Sequence, residues 1–273
     1  MFIKHFFLHY ILENIYFLIS LTGFFKTPIG LKFYQYIYEK YKIFAEKENL
    51  SQLSSYIKTG SLVLDVGANV GVYTKIFSNA VGPKGKVIAI EQDLINIKIL
   101  TSKFQNSESN VSIVKAAASD KNEKLFLIQN NFSPAGRYIS NSGLPIQSVT
   151  VDDLTSNIKI PLSLIKIDVE GTEGNVIYGA KKVIKKYRPV ILTEFTPKRL
   201  CKYGIDPVEL LSFLDKSGYS FRILGNKPKV KMLTNDKIYK FAKKKFTIDL
   251  LCLPNSIERE NSNSIQNHNN NLK

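Results

Sequence analysis

Histidine and cysteine are scarce in this 273-residue chain, and their positions exclude several chemistries. The three histidines, His5, His9 and His268, lie near the two ends. The central region therefore lacks the usual proton-transfer side chain and the commonest metal ligand. The two cysteines, Cys201 and Cys252, are far apart with no C-x-x-C spacing. That argues against a disulfide framework and a thiolate zinc site, and for a reducing compartment. Acidic residues are outnumbered, 23 against 38 Lys and Arg, for a formal net charge of +15. A field of that sign attracts anionic partners. The lysines concentrate at Lys181, Lys182, Lys185 and Lys186, and again from Lys227 to Lys245, and we read both groups as solvated faces.

Long uninterrupted apolar runs are missing too. Residues 2–25 are rich in Phe, Ile, Leu and Tyr, but His5, His9, Glu13 and Ser20 interrupt them along one helical stripe. Glu13 and Asn14 would fall in the apolar core of a signal peptide, and no small-residue cleavage site follows. The same residues compromise a spanning helix, so we expect an interfacial helix or one docked on the domain. Residues 31–58 continue a helical, aromatic pattern that stops at Lys58-Thr59-Gly60, with Gly60 read as a helix terminator.

What is present begins at Leu62-Val63-Leu64-Asp65-Val66-Gly67-Ala68-Asn69-Val70-Gly71-Val72-Tyr73-Thr74. It reads as a buried strand, a tight glycine turn and a helix start. Gly67 and Gly71 permit a sharp turn and close approach to a ligand, and Asp65 leaves a carboxylate at the strand's carboxyl end. A second apolar strand, Val87-Ile88-Ala89-Ile90-Glu91, ends in an acid where open α/β sheets present a group to ribose hydroxyls. The turn lacks the G-x-G-x-x-G of dinucleotide sites. An acid two residues upstream would repel a pyrophosphate but suit an ammonium, so S-adenosylmethionine fits better than NAD.

From residue 60 short apolar strands alternate with helical patterns, which predicts an α/β, doubly wound sheet. Helices are expected over about 94–106, 173–186 and 207–216. Strands are expected at 111–116, 162–168, 189–194, near 219–224 and near 246–253. Leu125–Ile128 and Gln147–Val151 read as extra strands around a polar loop suited to substrate entry. The domain plan is a hydrophobic, aromatic helical segment over 1–59, one α/β domain over 60–253, and a disordered Asn- and Ser-rich tail over 254–273.

Several motifs in order then make the chain resemble the FkbM family of S-adenosylmethionine-dependent methyltransferases. They are Leu64 to Gly71, Glu91, Ala118-Ser119-Asp120, Val149 to Leu154, Leu164 to Gly171 and Leu192-Thr193-Glu194-Phe195. The resemblance implies a class I methyltransferase (Rossmann-like) sheet of seven strands, mostly parallel, with the last antiparallel. It also implies O-methylation of a hydroxyl on a carbohydrate, lipid or secondary metabolite. Carried over by position, Asp65, Gly67, Asn69 and Gly71 hold the methionine end of the cofactor and Glu91 takes the ribose hydroxyls. Asp120 meets the exocyclic amine of adenine, with Ala118 and Ser119 beside the ring. Gln92 departs from the proline often found at that place.

Methyl transfer from a sulfonium needs an aligned oxygen and the removal of one proton. With no central histidine, the candidate bases are strand-end carboxylates: Asp168 and Glu170 after one strand, Glu194 after the next. We favour Glu170 as base, with Asp168 orienting the cofactor amine or the substrate and Lys166 as their partner. A helix cap with a first-turn acid is the competing explanation of Asp168 and Glu170, as good for Glu170 and less so for Asp168. The same carboxylates could hold Mg²⁺, a route not favoured because no obvious third ligand accompanies them. A nucleic-acid methyltransferase is the alternative that the basic charge suggests. The Asp168-Val169-Glu170-Gly171 strand end lacks the Asn/Asp-Pro-Pro-aromatic motif of amino-methylating enzymes. A non-catalytic cofactor-binding or membrane-tethered protein is a further alternative, opposed by the intact acids. The expected location is cytoplasmic, at the inner membrane surface if residues 1–25 touch lipid.

Overall fold

The computed structural model describes residues 22, 27–45, 47–105, 109–128, 138–140, 142–224, 234–245 and 247–256. The helix expected over 2–25 and the tail expected over 254–273 lie outside these residues, apart from Thr22 and 254–256. Strand β1 (Leu62–Val66) is buried at every position. It pairs in parallel with β2 (Lys86–Glu91) on one side and β8 (Leu162–Ile167) on the other. With β3 (Val111–Lys115), β9 (Val190–Phe195), β10 (Tyr219–Ile223) and β11 (Ile248–Pro254) they form a seven-stranded sheet, ordered β10-β11-β9-β8-β1-β2-β3. Only β11 runs against its neighbours, pairing antiparallel with both β9 and β10. This is the class I methyltransferase arrangement.

Both faces of the central strands are covered, which is why they are apolar without alternation. Leu62, Leu64, Val66, Ile165 and Ile167 belong to the core on one face, whereas Val63, Leu164 and Leu192 join Leu53, Phe77 and Val81 on the other. Helices α1 (Pro28–Ala45), α2 (Lys47–Ser54) and α3 (Val72–Val81) precede and follow β1. The helical pattern ends at Ser54, earlier than expected. Gly60 does not cap it: at φ +79° it turns the chain into β1, and its N–H donates to Val81.

Two other expectations need correcting. Strand β7 (Leu144–Val149) stops before Val151, because the Thr150 hydroxyl accepts the Asp153 N–H and starts helix α5 (Val151–Thr155). The single helix expected over 173–186 is two, α6 (Glu173–Tyr178) and α7 (Lys181–Tyr187). The break falls at Gly179, where a Cβ would lie 2.1 Å from the Ser119 carbonyl oxygen. Asp152 accepts the N–H groups of Lys182 and Val183 at 2.9 Å each and so caps α7 from another element. A small four-stranded sheet, β4 (Ala117–Ala118), β7, β5 (Lys124–Ile128) and β6 (Tyr138–Ser140), follows β3. Three helices complete the described chain: α8 (Pro197–Lys202), α9 (Pro207–Lys216) and α10 (Asn235–Lys245), the last unanticipated within the lysine-rich stretch.

Candidate active site

The chain runs outward from β1 through β2 and β3, then returns to β8 on the other side of β1. Open α/β sheets bind ligands at such a reversal, beyond the carboxyl ends of the strands. There the glycine turn is built tightly. Gly67 (φ +73°) sits so close to the next strand's exit that a Cβ would fall 1.8 Å from the Asp168 carbonyl oxygen. The N–H groups of Gly67 and Ala68 both donate to Ile90, and that of Gly71 (φ +84°) donates to Ala68. Asn69 adopts φ +51°, which turns its N–H onto Glu91 Oε2 at 2.7 Å.

Asp65 and Lys166 are register partners on adjacent strands and both are buried. Thr74 Oγ1 donates to Asp65 Oδ2 at 2.6 Å. Asp65 Oδ1 accepts no hydrogen bond, although the Lys166 ammonium lies 3.5 Å away. Lys166 Nζ donates to the Gly67 carbonyl at 2.9 Å, lies 3.4 Å from Asp168 and sits over the Tyr73 ring. A buried charge is tolerated only with partners of this kind, and removing one partner of a buried pair costs about 3–5 kcal/mol.

Glu91 collects three backbone donors, from Asn69, Gln92 and Asp93. Burial pushes its carboxyl up to about 7 despite those bonds. A carboxylate offers about four lone-pair sites, so capacity remains for a ligand hydroxyl.

After β8 the backbone enters the left-handed region at Glu170 (φ +62°) and Gly171 (φ +118°). Glu173 holds this turn, since its Oε1 accepts the N–H groups of Val169 and Gly171. Burial pushes Glu173 up to about 7. Arg199, on α8, binds Glu170 Oε2 at 2.6 Å and Glu194 Oε2 at 2.9 Å through one nitrogen, Nη1. Burial raises Glu170, with Arg199 opposing it. Glu194 is pushed up to about 8 by burial and then by the charges of Asp168 and Glu170. Burial acts upward on Asp168 as well, but Lys166, Lys42 and Arg199 outweigh it and hold that carboxyl below its usual range.

Most of these residues line one cleft that is open to solvent. Of the sequence-predicted residues, Gly67, Asn69, Glu91, Ala118, Asp168, Glu170 and Glu194 line it. Lys166 lines a smaller pocket that shares Gly67, Asn69 and Asp168 with it. Asp65 and Gly71 stand behind the turn. Ser119 and Asp120 are not among the cleft-lining residues; the Ser119 hydroxyl donates to Asp120 at 3.2 Å, and Ser119 itself is buried. Sequence reasoning missed Glu173, Arg199 and Lys42. Arg199 had a signal, lying five positions after Glu194 at the start of a helix; Lys42 had none.

The donor set fits S-adenosylmethionine. Asp65 keeps a buried oxygen without a hydrogen bond behind the glycine turn, Glu91 faces the cleft with capacity for a ligand hydroxyl, and Asp168 is held charged beside the turn. Among the described residues, no group of three or more His, Cys, Asp or Glu is placed to hold a metal ion. Fold and site together define a class I S-adenosylmethionine-dependent methyltransferase domain.

Residues 65–221 match the model of the methyltransferase FkbM domain, and the chain belongs to that family. Among solved structures, it is similar to an FkbM methyltransferase from Methylobacillus flagellatus, at 18% identity and a TM-score of 0.44. That match covers 72% of this chain and 44% of the other, so this chain spans less than half of that protein. Aeropyrum pernix fibrillarin with bound S-adenosyl-L-methionine matches at 12% identity and a TM-score of 0.42, over 72% of this chain and 67% of that one. An S-adenosylmethionine-dependent O-methyltransferase from Thermotoga maritima matches at 13% identity and a TM-score of 0.41, over 78% and 70% of the two chains. A search of curated proteins finds no match.

Proposed function

We propose that this protein transfers the methyl group of S-adenosylmethionine to a hydroxyl of a carbohydrate, lipid or secondary metabolite. The bound cofactor supplies a methyl group activated by its sulfonium. The observation that carries the reading is the Glu170–Arg199–Glu194 bridge beside Asp168 at the cleft wall. It presents a carboxylate base, poised by burial and a cation, where an acceptor oxygen must lose its proton.

In this reading Asp65, Gly67, Asn69 and Gly71 form and support the methionine end, and Glu91 accepts the ribose hydroxyls. Asp120 meets the exocyclic amine of adenine, with Ala118 and Ser119 beside the ring. Glu170 takes the acceptor proton, Asp168 orients the cofactor amine or acceptor, Lys166 fixes Asp168 against the turn, and Glu194 shares the Arg199 cation. Mg²⁺ is not assigned a role, because Glu170 and Glu194 already converge on a guanidinium.

We propose a cytoplasmic location, at the inner membrane surface if residues 1–25 touch lipid. Supporting this are the apolar run over 2–25 and the exposure of Ile29, Phe33, Tyr36, Ile37 and Phe44 on α1. Among the described residues no helix is long and apolar enough to cross a membrane. The test is incubation of the purified chain and its Glu170→Gln variant with methyl-labelled S-adenosylmethionine and glycan, lipid and RNA fractions. Label should enter a glycan, lipid or small-molecule fraction in a base-stable ether and depend on Glu170. Label in RNA alone, or no label with cofactor bound, overturns the reading.

A further inference from the structure

The cofactor's methionine carboxylate needs a cationic or N–H partner, and the glycine turn has little left to give. The N–H groups of Gly67, Ala68, Asn69 and Gly71 are all engaged within the protein. Lys166 can direct three protons, and it already faces the Gly67 carbonyl, Asp65 and Asp168. One further cation reaches the same place from a different element. Lys42, near the end of α1, lines both the main cleft and the smaller pocket beside Val70, Tyr73 and Lys166. Its charge also acts on Asp168 and Glu170.

The helix that carries Lys42 is fastened to the turn. Glu39 forms an ion pair with Lys103 of α4 (Leu94–Phe104), and Lys103 Nζ donates to the Val70 carbonyl at 2.7 Å. Glu39 and Lys42 are three positions apart and so share one face of α1. One side chain of that face anchors the helix while the other enters the cleft.

We propose that Lys42 binds the carboxylate of the cofactor's methionine moiety. The amino-terminal helix, which precedes the matched residues 65–221, is then part of the cofactor site. This rests on the S-adenosylmethionine reading of the cleft. Calorimetry on the full chain separates the two ideas, using S-adenosylhomocysteine, which keeps the amino-acid end, and 5′-methylthioadenosine, which lacks it. Lys42→Ala should weaken S-adenosylhomocysteine on the order of 10- to 100-fold, as expected for a charge-assisted hydrogen bond. Its affinity for methylthioadenosine should stay within about twofold, inside the range of a peripheral surface change, and Lys42→Arg should recover most of the lost binding. Equal losses for both ligands would reduce Lys42 to a structural role and overturn the proposal, as would no loss for either. Wild-type protein that binds neither ligand would instead overturn the cofactor reading itself.

Discussion

Arg199 and Glu170 are joined by a 2.6 Å ion pair made by the same guanidinium nitrogen that holds Glu194 at 2.9 Å. The two carboxylates thus share one cation across the exits of adjacent strands β8 and β9. In a partly buried site such sharing sets which of them carries the proton.

Removing that cation should shift the pH dependence of methyl transfer. An opposite charge this close lowers a carboxyl pKa by about 1–3 units. Arg199→Gln should therefore move the acidic limb of the rate–pH profile upward by about one unit or more, with partial restoration by Arg199→Lys. Glu194→Gln should leave that limb nearly in place, because Glu194, pushed up to about 8, carries its proton over that range and adds no like charge. Initial rates against pH decide this, and an unmoved limb in Arg199→Gln excludes Glu170 as the base.

Glu91 faces a stricter test, because it serves both the protein and the cleft. Glu91→Ala removes the proposed ribose partner and leaves the N–H groups of Asn69, Gln92 and Asp93 without their acceptor. Binding of S-adenosylmethionine should fall at least about tenfold, and stability should fall by about 1–3 kcal/mol. Titration calorimetry and denaturant unfolding measure the two effects separately; unchanged affinity would remove Glu91 from the cofactor site.

Glu173 should make stability fall as pH rises. Its folded pKa, near 7, lies above the ordinary carboxyl value of 4.5, so the folded state binds the proton more tightly. The resulting stabilisation is complete below about pH 4.5, declines through the interval up to 7 and amounts to on the order of 3 kcal/mol. Glu173→Gln keeps an acceptor for Val169 and Gly171 without the charge. Its thermal midpoint should therefore change less between pH 5 and about 8 than that of the wild type.

Gly67 and Gly60 share nearly the same positive φ but differ in surroundings. A Cβ at Gly67 meets backbone at 1.8 Å, whereas one at Gly60 has nothing within 4 Å. Gly60→Ala should cost about 1 kcal/mol, from the conformation alone. Gly67→Ala adds a clash that backbone must absorb, for at least about 3 kcal/mol in total. Urea unfolding of the two variants compares them directly.

The local signals in the sequence were read well where one stretch of chain contains its own cause. The β1–turn–α3 unit follows from an apolar run, glycines at Gly67 and Gly71, and the helix after them. Glu91 follows from its place at the end of β2. The gathering of Glu91, Asp168, Glu170 and Glu194 at one edge follows from the rule that parallel sheets present their carboxyl ends together, whereas the order of the strands comes from the structure. The helix break at Gly179 was not legible, because the close packing found there, against the Ser119 carbonyl, involves a residue about sixty positions earlier in the chain. The side sheet was half seen, since β4 is two residues long and shows no periodicity.

By itself, then, the sequence determined the fold class, the cofactor turn and the acids at the strand ends, because short-range patterning and backbone permissiveness are properties of neighbouring residues. The tertiary structure decided which charges meet. Lys166 reaches Gly67 across 99 positions, Arg199 joins two strand exits, and Lys42 arrives from a helix that precedes the family's matched residues. Those partnerships depend on strand register and helix docking, which no stretch of neighbouring residues can fix.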